Sequence, residues 1–144
     1  MLDKNKKYIG YCPNEGDFTP GKLVEGLLEH HVCGIEVAAT TYDLVCENCG
    51  ALLSSHDVER ENEIIVYDSY KKIVGLLTSI EIKNIRKKRK WSQRQLAKFL
   101  DIGEKDITRY ENGAIQTRSI DNMIRLVADD AVFERMCVCL NKKV

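Results

Sequence analysis

Several cysteines in the first half of the chain are spaced in ways that could bind a metal ion. Cys46 and Cys49 form a Cys-x-x-Cys knuckle, which is the usual half of a zinc ribbon. Cys12 begins a similar stretch near the N-terminus, in which Glu15 stands where a second cysteine is expected. Three thiolates and a carboxylate can bind zinc, although this ligand set is uncommon at structural sites.

The fourth zinc ligand has more than one candidate. We expect Cys33 to complete the set, or His30 or His31 beside it, if the strand that carries them folds back. Glu15 is the alternative fourth ligand. The competing interpretation is a ribbon that has lost its metal and is held together by its sheet and the helix that follows.

The second half of the chain carries side chains that could read DNA. Residues 91–113 predict two capped helices, 93–100 and 104–112, joined by a short turn that contains glycine, and Ser92 with Gln95 forms the capping box of the first. This arrangement lets a second helix project into a major groove. Its predicted outward face, at i, i+3, i+4 and i+7 spacing, carries Lys105, Thr108, Arg109 and Asn112.

These side chains differ in what they can contact. An outward Arg109 could donate two hydrogen bonds to a guanine, which discriminates between bases by roughly 1–3 kcal/mol. Lys105 could reach a base or a phosphate, and Gln93 is placed to hold a phosphate. Lys87 lies in the basic run 86–90, which adds sequence-independent attraction through counterion release.

The sequence predicts that strands and helices of an α+β protein position the candidate metal ligands and DNA-contacting side chains. Strand-like runs at 22–25, 30–37 and 40–45, with turn signals at Pro20-Gly21 and Gly34, predict a β-rich N-terminal domain. We place this zinc-ribbon-like domain at residues 1–56.

A connecting segment, residues 57–77, and an all-α domain, residues 78–144, complete the predicted organisation. The connecting helix runs from Asp57 to Val74 and ends at Gly75, with a stripe that includes Ile73 packed on a neighbour. The all-α domain contains five short helices, of which the first is capped by Ser79 and has Arg86 on its outer side. We expect two further cysteines near the end of the domain, Cys137 and Cys139, to be buried.

Composition and charge narrow the function classes. The chain has 144 residues, 44% hydrophobic and 31% charged, without an apolar run near the ~20 residues of a membrane span or the start of a secretory signal. We therefore expect a cytoplasmic protein.

Residues 1–77 hold 7 Lys and Arg against 13 Asp and Glu, net −6, whereas residues 78–144 hold 15 against 9, net +6. An acidic and a basic half suggest different partners, nucleic acid for the basic one.

The predicted helix pair resembles the lambda-repressor/Cro-like helix-turn-helix family. The resemblance covers about residues 79–128 and rests on Ser92-Gln93, Leu96-Ala97 and the run Arg109-Tyr110-Glu111-Asn112-Gly113. It implies that Glu111 supports the fold or a neighbouring helix rather than touching DNA.

The combination of a cysteine-rich β module, a connecting helix and a helix-turn-helix resembles the MqsA/YgiT-type zinc-finger/helix-turn-helix antitoxins. Residues 103–116 look like the subset encoded beside toxins of the SocA-like (Panacea-domain) kind. The resemblance implies a homodimer formed through the C-terminal domain and bound to a palindromic operator, with a cognate toxin held by the N-terminal domain. It places base reading on Lys105 and Arg109. Lys105 and Glu15 depart from the family pattern.

The leading hypothesis is an antitoxin that also represses its own operon. The alternative is a stand-alone transcriptional regulator of phage or mobile-element type, and a third possibility is a protein-binding adaptor that no longer contacts DNA. We do not expect an enzyme. The stretch His30-His31-Val32-Cys33 could pair a base with a thiol, but adjacent residues on a strand point to opposite faces, and no carboxylate is spaced to orient the base.

Overall fold

The computed structural model describes Leu2 and residues 6–139. The chain divides into two compact units, residues 1–70 and 71–144. The first contains a β-sheet and most of one helix, and the second is helical, so the predicted α+β class is confirmed. None of the described helices has the length and apolar character needed to cross a membrane.

The β unit, residues 1–70, is built on a three-stranded antiparallel sheet in the order β1-β2-β3. The strands are β1 (Tyr8–Cys12), β2 (Asp17–Val32) and β3 (Ile35–Cys46). Residues 51–54 then hydrogen-bond to both outer strands: Leu53 N donates to Leu44 O at 2.7 Å, and Tyr11 N donates to Ser54 O at 2.9 Å. This segment closes the base of the sheet around a small core.

The core of the β unit holds two of the candidate metal ligands. Its buried residues are Leu2, Tyr8, Cys12, Leu44, Cys46, Leu53 and Val58. Gly10 is needed where the closing segment crosses, because a Cβ there would lie 2.8 Å from both Leu53 Cβ and Ser54 O. The spacing of β1 and residues 51–54 therefore depends on a residue without a side chain.

One strand prediction and one turn prediction are wrong. The predicted strand 30–37 spans a hairpin turn, whose central residues Cys33 and Gly34 have φ of 48° and 80°. Both positive values are those of a type I′ turn. Pro20-Gly21 lies inside β2 and is not a turn. Pairing of β2 with β3 begins at Gly21, so Pro20, which lacks an N–H, stands just outside that ladder.

Helix α1 (His56–Val74) follows the sheet and ends, as predicted, at Gly75, which has φ of 70°. Asn62 attaches the helix to β3, since its amide accepts from Tyr42 N at 2.9 Å and donates to Tyr42 O at 2.8 Å. The predicted packing stripe is wrong at Ile73, which is 58% exposed. Ile73 lies in the last turn, beyond residue 70, where the β unit ends.

In the helical unit, residues 71–144, the described residues 71–139 contain five further helices, as predicted. They are α2 (Ser79–Lys88), α3 (Gln93–Leu100), α4 (Glu104–Glu111), α5 (Arg118–Ala128) and α6 (Asp130–Cys139). Ser92 and Gln95 form the predicted capping box of α3. Helix α2 is capped by Thr78 rather than by Ser79, again through a capping box.

The core of the helical unit draws on every one of these helices. Its fully buried members include Ile82, Leu96, Ile107, Ile124 and Val127. A three-ring cluster of Trp91, Phe99 and Phe133, with centroids 5.1 to 5.5 Å apart, extends it.

The two cysteines near the end of α6 do not form the buried pair that was predicted. Cys137 is half-buried and packs at the edge of the helical core, but Cys139 is exposed. Two residues apart on a helix, the two side chains point about 200° apart, so one apolar face cannot hold both.

Candidate nucleic-acid interface and metal centre

The outward side of α4 presents two cations to solvent. Arg109 is 71% exposed in its side chain and meets Asp106 only at 3.8 Å, and Lys105 is exposed one turn earlier. On the opposite side, Ile107 is fully buried and Tyr110 is half-buried against the core. The predicted division of this helix into an inner and an outer face is confirmed.

The other two residues predicted on the outer face make local bonds. The Thr108 hydroxyl donates to Gln93 Oε1 at 2.9 Å and, more distantly, to Glu104 O. Asn112 caps the end of α4, and its amide donates to Thr108 O at 2.7 Å. Thr108 is half-buried and Asn112 is exposed, so both remain at the rim of the surface that carries Arg109.

A buried ion pair fixes α4 against the two preceding helices. Arg86 on α2 donates to both carboxylate oxygens of Glu111, from Nε at 2.5 Å and from Nη2 at 2.8 Å. Gln93 on α3 adds a bond from Nε2 to Glu111 at 2.9 Å. The Glu111 side chain is 3% exposed and that of Arg86 13%. Burial opposes ionisation of Glu111, but the bonds from Arg86 and Gln93 hold its pKa below the ordinary value.

This network gives partners inside the fold to two residues for which the sequence predicts contacts outside it. Arg86 was predicted to face solvent, yet it is committed to Glu111 and to Trp91 O, which it contacts at 2.8 Å. Gln93, predicted to hold a phosphate, bridges Glu111 and Thr108 and so ties the start of α3 to α4. The supporting role that the resemblance implies for Glu111 is what its contacts show.

Three of the five cations of the basic run 86–90 bond within the fold. Besides Arg86, Lys88 pairs with Asp130 at 3.1 Å, and Arg89 donates to Val127 O at 2.9 and 2.7 Å. Lys87 and Lys90 are exposed. Fewer cations of this run are therefore left without an internal contact for the predicted counterion release than the sequence suggests.

The candidate metal centre brings the two knuckles of the β unit together. The ligand atoms of Cys12, Glu15, Cys46 and Cys49 all lie within 4.8 Å of one another. Cys12 Sγ is 3.4 Å from Cys49 Sγ, and Cys46 Sγ is 3.8 Å from Glu15 Oε1. In a tetrahedron with metal–sulphur bonds of about 2.3 Å, sulphur atoms lie about 3.8 Å apart. The four side chains therefore fit a metal ion.

Both knuckles direct backbone N–H groups at their first cysteine. Glu15 N and Asn14 N donate to Cys12, although burial dominates and raises the pKa of this thiol. At Cys46 the Thr19 hydroxyl, 3.5 Å away, is the largest influence, and with the knuckle N–H groups it lowers the pKa to about 7. Such bonds stabilise a thiolate, which is the form that binds metal.

The predicted fourth ligand, Cys33, lies in the hairpin turn and is exposed, apart from this group. Glu15, the alternative, is the residue that the structure brings to the three cysteines, and Asn48 Nδ2 donates to its other oxygen at 3.4 Å. The spacing Cys12-x-x-Glu15 repeats that of Cys46 and Cys49, and this repeat was the signal in the sequence.

Comparison with known proteins locates one domain. Residues 82–128 match the family model described as helix-turn-helix. This segment, which includes most of α2 and all of α3 to α5, is a helix-turn-helix domain of the lambda-repressor/Cro-like kind. No curated protein and no solved structure matches the chain significantly.

Proposed function

We propose that this helix-turn-helix regulator, whose domain binds DNA, is the antitoxin of a type II toxin-antitoxin system. It represses its own operon through the helical unit and binds its toxin through the β unit. The observation that carries the proposal is the exposed Arg109 on a helix held rigidly by Arg86, Gln93 and Glu111. The role of the β unit is supported by the resemblance to two-domain antitoxins.

In the proposed DNA complex α4 lies in the major groove. Arg109 reads a guanine, Lys105 contacts a neighbouring base or a phosphate, and Lys87 contacts the backbone. The chain acts as a homodimer on a palindrome, with its two recognition helices in half-sites about 34 Å apart or a multiple of that distance. It acts by binding and has no catalytic activity.

In the β unit we propose a structural zinc ion held by Cys12, Glu15, Cys46 and Cys49. The fit of these ligands and the thiolate-stabilising bonds at both knuckles support the assignment. The metal would join the β1–β2 turn to the end of β3. It would supply folding free energy to a unit whose own apolar core is small.

Charge supports a protein partner for the β unit. Residues 6–70 hold twelve Asp and Glu against four Lys and Arg, a net charge of −8. Such a surface repels the DNA backbone and attracts a basic protein. The two units therefore suit two different ligands.

Replacing Arg109 with alanine is expected to weaken operator binding about tenfold per half-site while leaving binding to random duplex nearly unchanged. The reason is that a bidentate arginine contributes to sequence discrimination more than to general attraction. Titration of both duplexes at a fixed salt concentration measures the effect. Lys87→Ala is the matched control and should weaken both duplexes alike. Equal loss on both duplexes after Arg109→Ala would refute the base-reading role.

The antitoxin assignment is tested by footprinting the full chain on the DNA upstream of its gene, with and without the product of the adjacent gene. We expect protection of a palindrome that the second protein alters, and relief of that protein's toxicity when both are expressed. A footprint without any effect of the neighbour would instead favour a stand-alone regulator.

A further inference from the structure

The distal half of the β2–β3 hairpin has an exposed strand edge. β1 pairs with β2 only from Asp17 to Gly21, so the rest of β2 pairs with β3 alone. Among the residues that the structure describes, no strand lies beside the other edge of residues 26–32. Seven consecutive residues of β2 therefore form an edge strand.

The two-residue turn at Cys33 and Gly34 determines which backbone groups point outward. Residues that flank such a turn, here Val32 and Ile35, form a hydrogen-bonded pair, and the pairs then alternate along the ladder. The N–H and C=O groups of Leu27, Glu29 and His31 accordingly face away from β3.

Apart from one charged residue, Glu29, this edge lacks the features that usually prevent pairing. Leu27 is 72% exposed and Leu28 51%, so apolar side chains stand on both faces of the edge. Edge strands are commonly protected by lysine, proline or a bulge. Residues 26–32 contain no lysine and no proline, and the register with β3 runs without a bulge. The edge is open to another strand.

We propose that the edge 26–32 takes up a β-strand of a basic protein partner and extends the sheet by one strand. Charge selects the partner, because residues 23–59 contain seven acidic residues and no lysine or arginine. A strand with apolar side chains and flanking Lys or Arg complements this surface. The inference rests on the proposed function, in which the partner is the toxin, and adds where and how the toxin is bound.

Charge also disfavours a second copy of this chain at the edge. Antiparallel pairing of two β2 edges centred on Leu27 would set Glu25 of each copy directly opposite Glu29 of the other. Like charges directly opposite each other destabilise a strand pair. The like net charge of the two β units adds to this repulsion.

The first test uses the full chain and the product of the adjacent gene. Leu27→Lys is expected to raise the dissociation constant of their complex about tenfold, since it removes an apolar contact and sets a cation against a basic strand. The matched control is Leu52→Lys, which adds the same charge to another exposed leucine of the β unit, 63% exposed and off this edge. We expect less than a twofold change in the control.

Amide exchange gives a readout that does not depend on a variant. When the partner strand binds, the N–H groups of Leu27, Glu29 and His31 should exchange at least about tenfold more slowly. The intervening N–H groups of Leu28 and His30, already bonded to β3, should change little. This alternation is specific to strand addition.

The outcomes separate the inference from the function on which it rests. The product of the adjacent gene could bind without changing exchange at the three outward amides, or it could bind both lysine variants equally well. Either result overturns the proposed binding edge and leaves the antitoxin assignment intact. Failure of the wild-type chain to bind the neighbour overturns both. A β2-mediated dimer of the free chain, detected by light scattering and abolished by Leu27→Lys, also overturns the assignment of the edge to a foreign strand.

Discussion

Glu111→Ala is expected to lower the free energy of unfolding of the helical unit by about 3 kcal/mol. The substitution leaves the Arg86 guanidinium, which is 13% exposed, without its carboxylate, and it removes the acceptor of the Gln93 amide. A buried charge without a partner costs more than the lost bonds alone. Because the same contacts hold α4, operator binding should weaken as well, even though the Glu111 side chain is buried.

Urea unfolding followed by the fluorescence of Trp91 measures this loss. Trp91 is the only tryptophan of the chain, and it packs against both Phe99 and Phe133, so its signal reports on the helical unit. Glu104→Ala, at an exposed carboxylate of the same helix, is the control and should cost less than about 1 kcal/mol. Equal losses in the two variants would show that the ion pair does not stabilise the fold.

The ion pair also makes the stability of the helical unit depend on pH. The pKa of Glu111 is lower in the folded than in the unfolded chain, so its ionised form stabilises the fold above the unfolded value of about 4.3. This contribution is lost as pH falls through the folded pKa. The stability difference between wild type and Glu111→Gln should therefore shrink as pH falls below about 4. The comparison isolates Glu111 from Asp121, whose pKa is also lowered.

The second large effect is expected on the stability of the β unit when zinc is added. At free zinc a thousandfold above its dissociation constant, the β unit should gain about 4 kcal/mol in stability over the chelator-treated protein. The reason is that the ligands Cys12, Glu15, Cys46 and Cys49 come together only when the strands are folded. Thermal unfolding followed by the circular dichroism of the full chain, with zinc or with chelator, measures the gain.

Two cysteine-to-serine variants test which thiols bind. Cys46→Ser should abolish the gain in stability from zinc and the thiolate-to-metal absorption that cobalt produces in its place. Cys33→Ser is the matched control and should retain both, because Cys33 lies apart in the hairpin turn. If the two variants behave alike, the four-residue centre is wrong. Glu15→Gln should weaken zinc binding about tenfold, since the metal loses an anionic ligand.

The elements that depend on local sequence were predictable. The capping box of Ser92 and Gln95 and the stop at Gly75 are set by residues within one turn of each other, and both are found as expected. The inner and outer faces of α4 follow from helical periodicity alone. A pattern of spacing was sufficient to place Arg109 on the outside.

The contacts that join distant segments were not predictable in the same way. Arg86 and Glu111 are 25 residues apart, and a basic run gives no sign of which of its members turns inward. The sequence leaves the fourth metal ligand open for a similar reason. Whether Cys33 or Glu15 lies beside the three other ligands depends on how β2 and β3 pair. The two-residue hairpin turn places Cys33 far from the knuckles, whereas the residue pattern predicts one continuous strand over residues 30–37.

The backbone at the tip of this hairpin has a practical consequence. Cys33, at φ of 48°, holds a left-handed conformation that costs an ordinary residue roughly 1–2 kcal/mol and that asparagine tolerates well. Its thiol is exposed and so open to oxidation on storage. An asparagine at this position would relieve the strain and remove the oxidisable group together, which makes the tip a natural first choice for engineering a longer-lived sample.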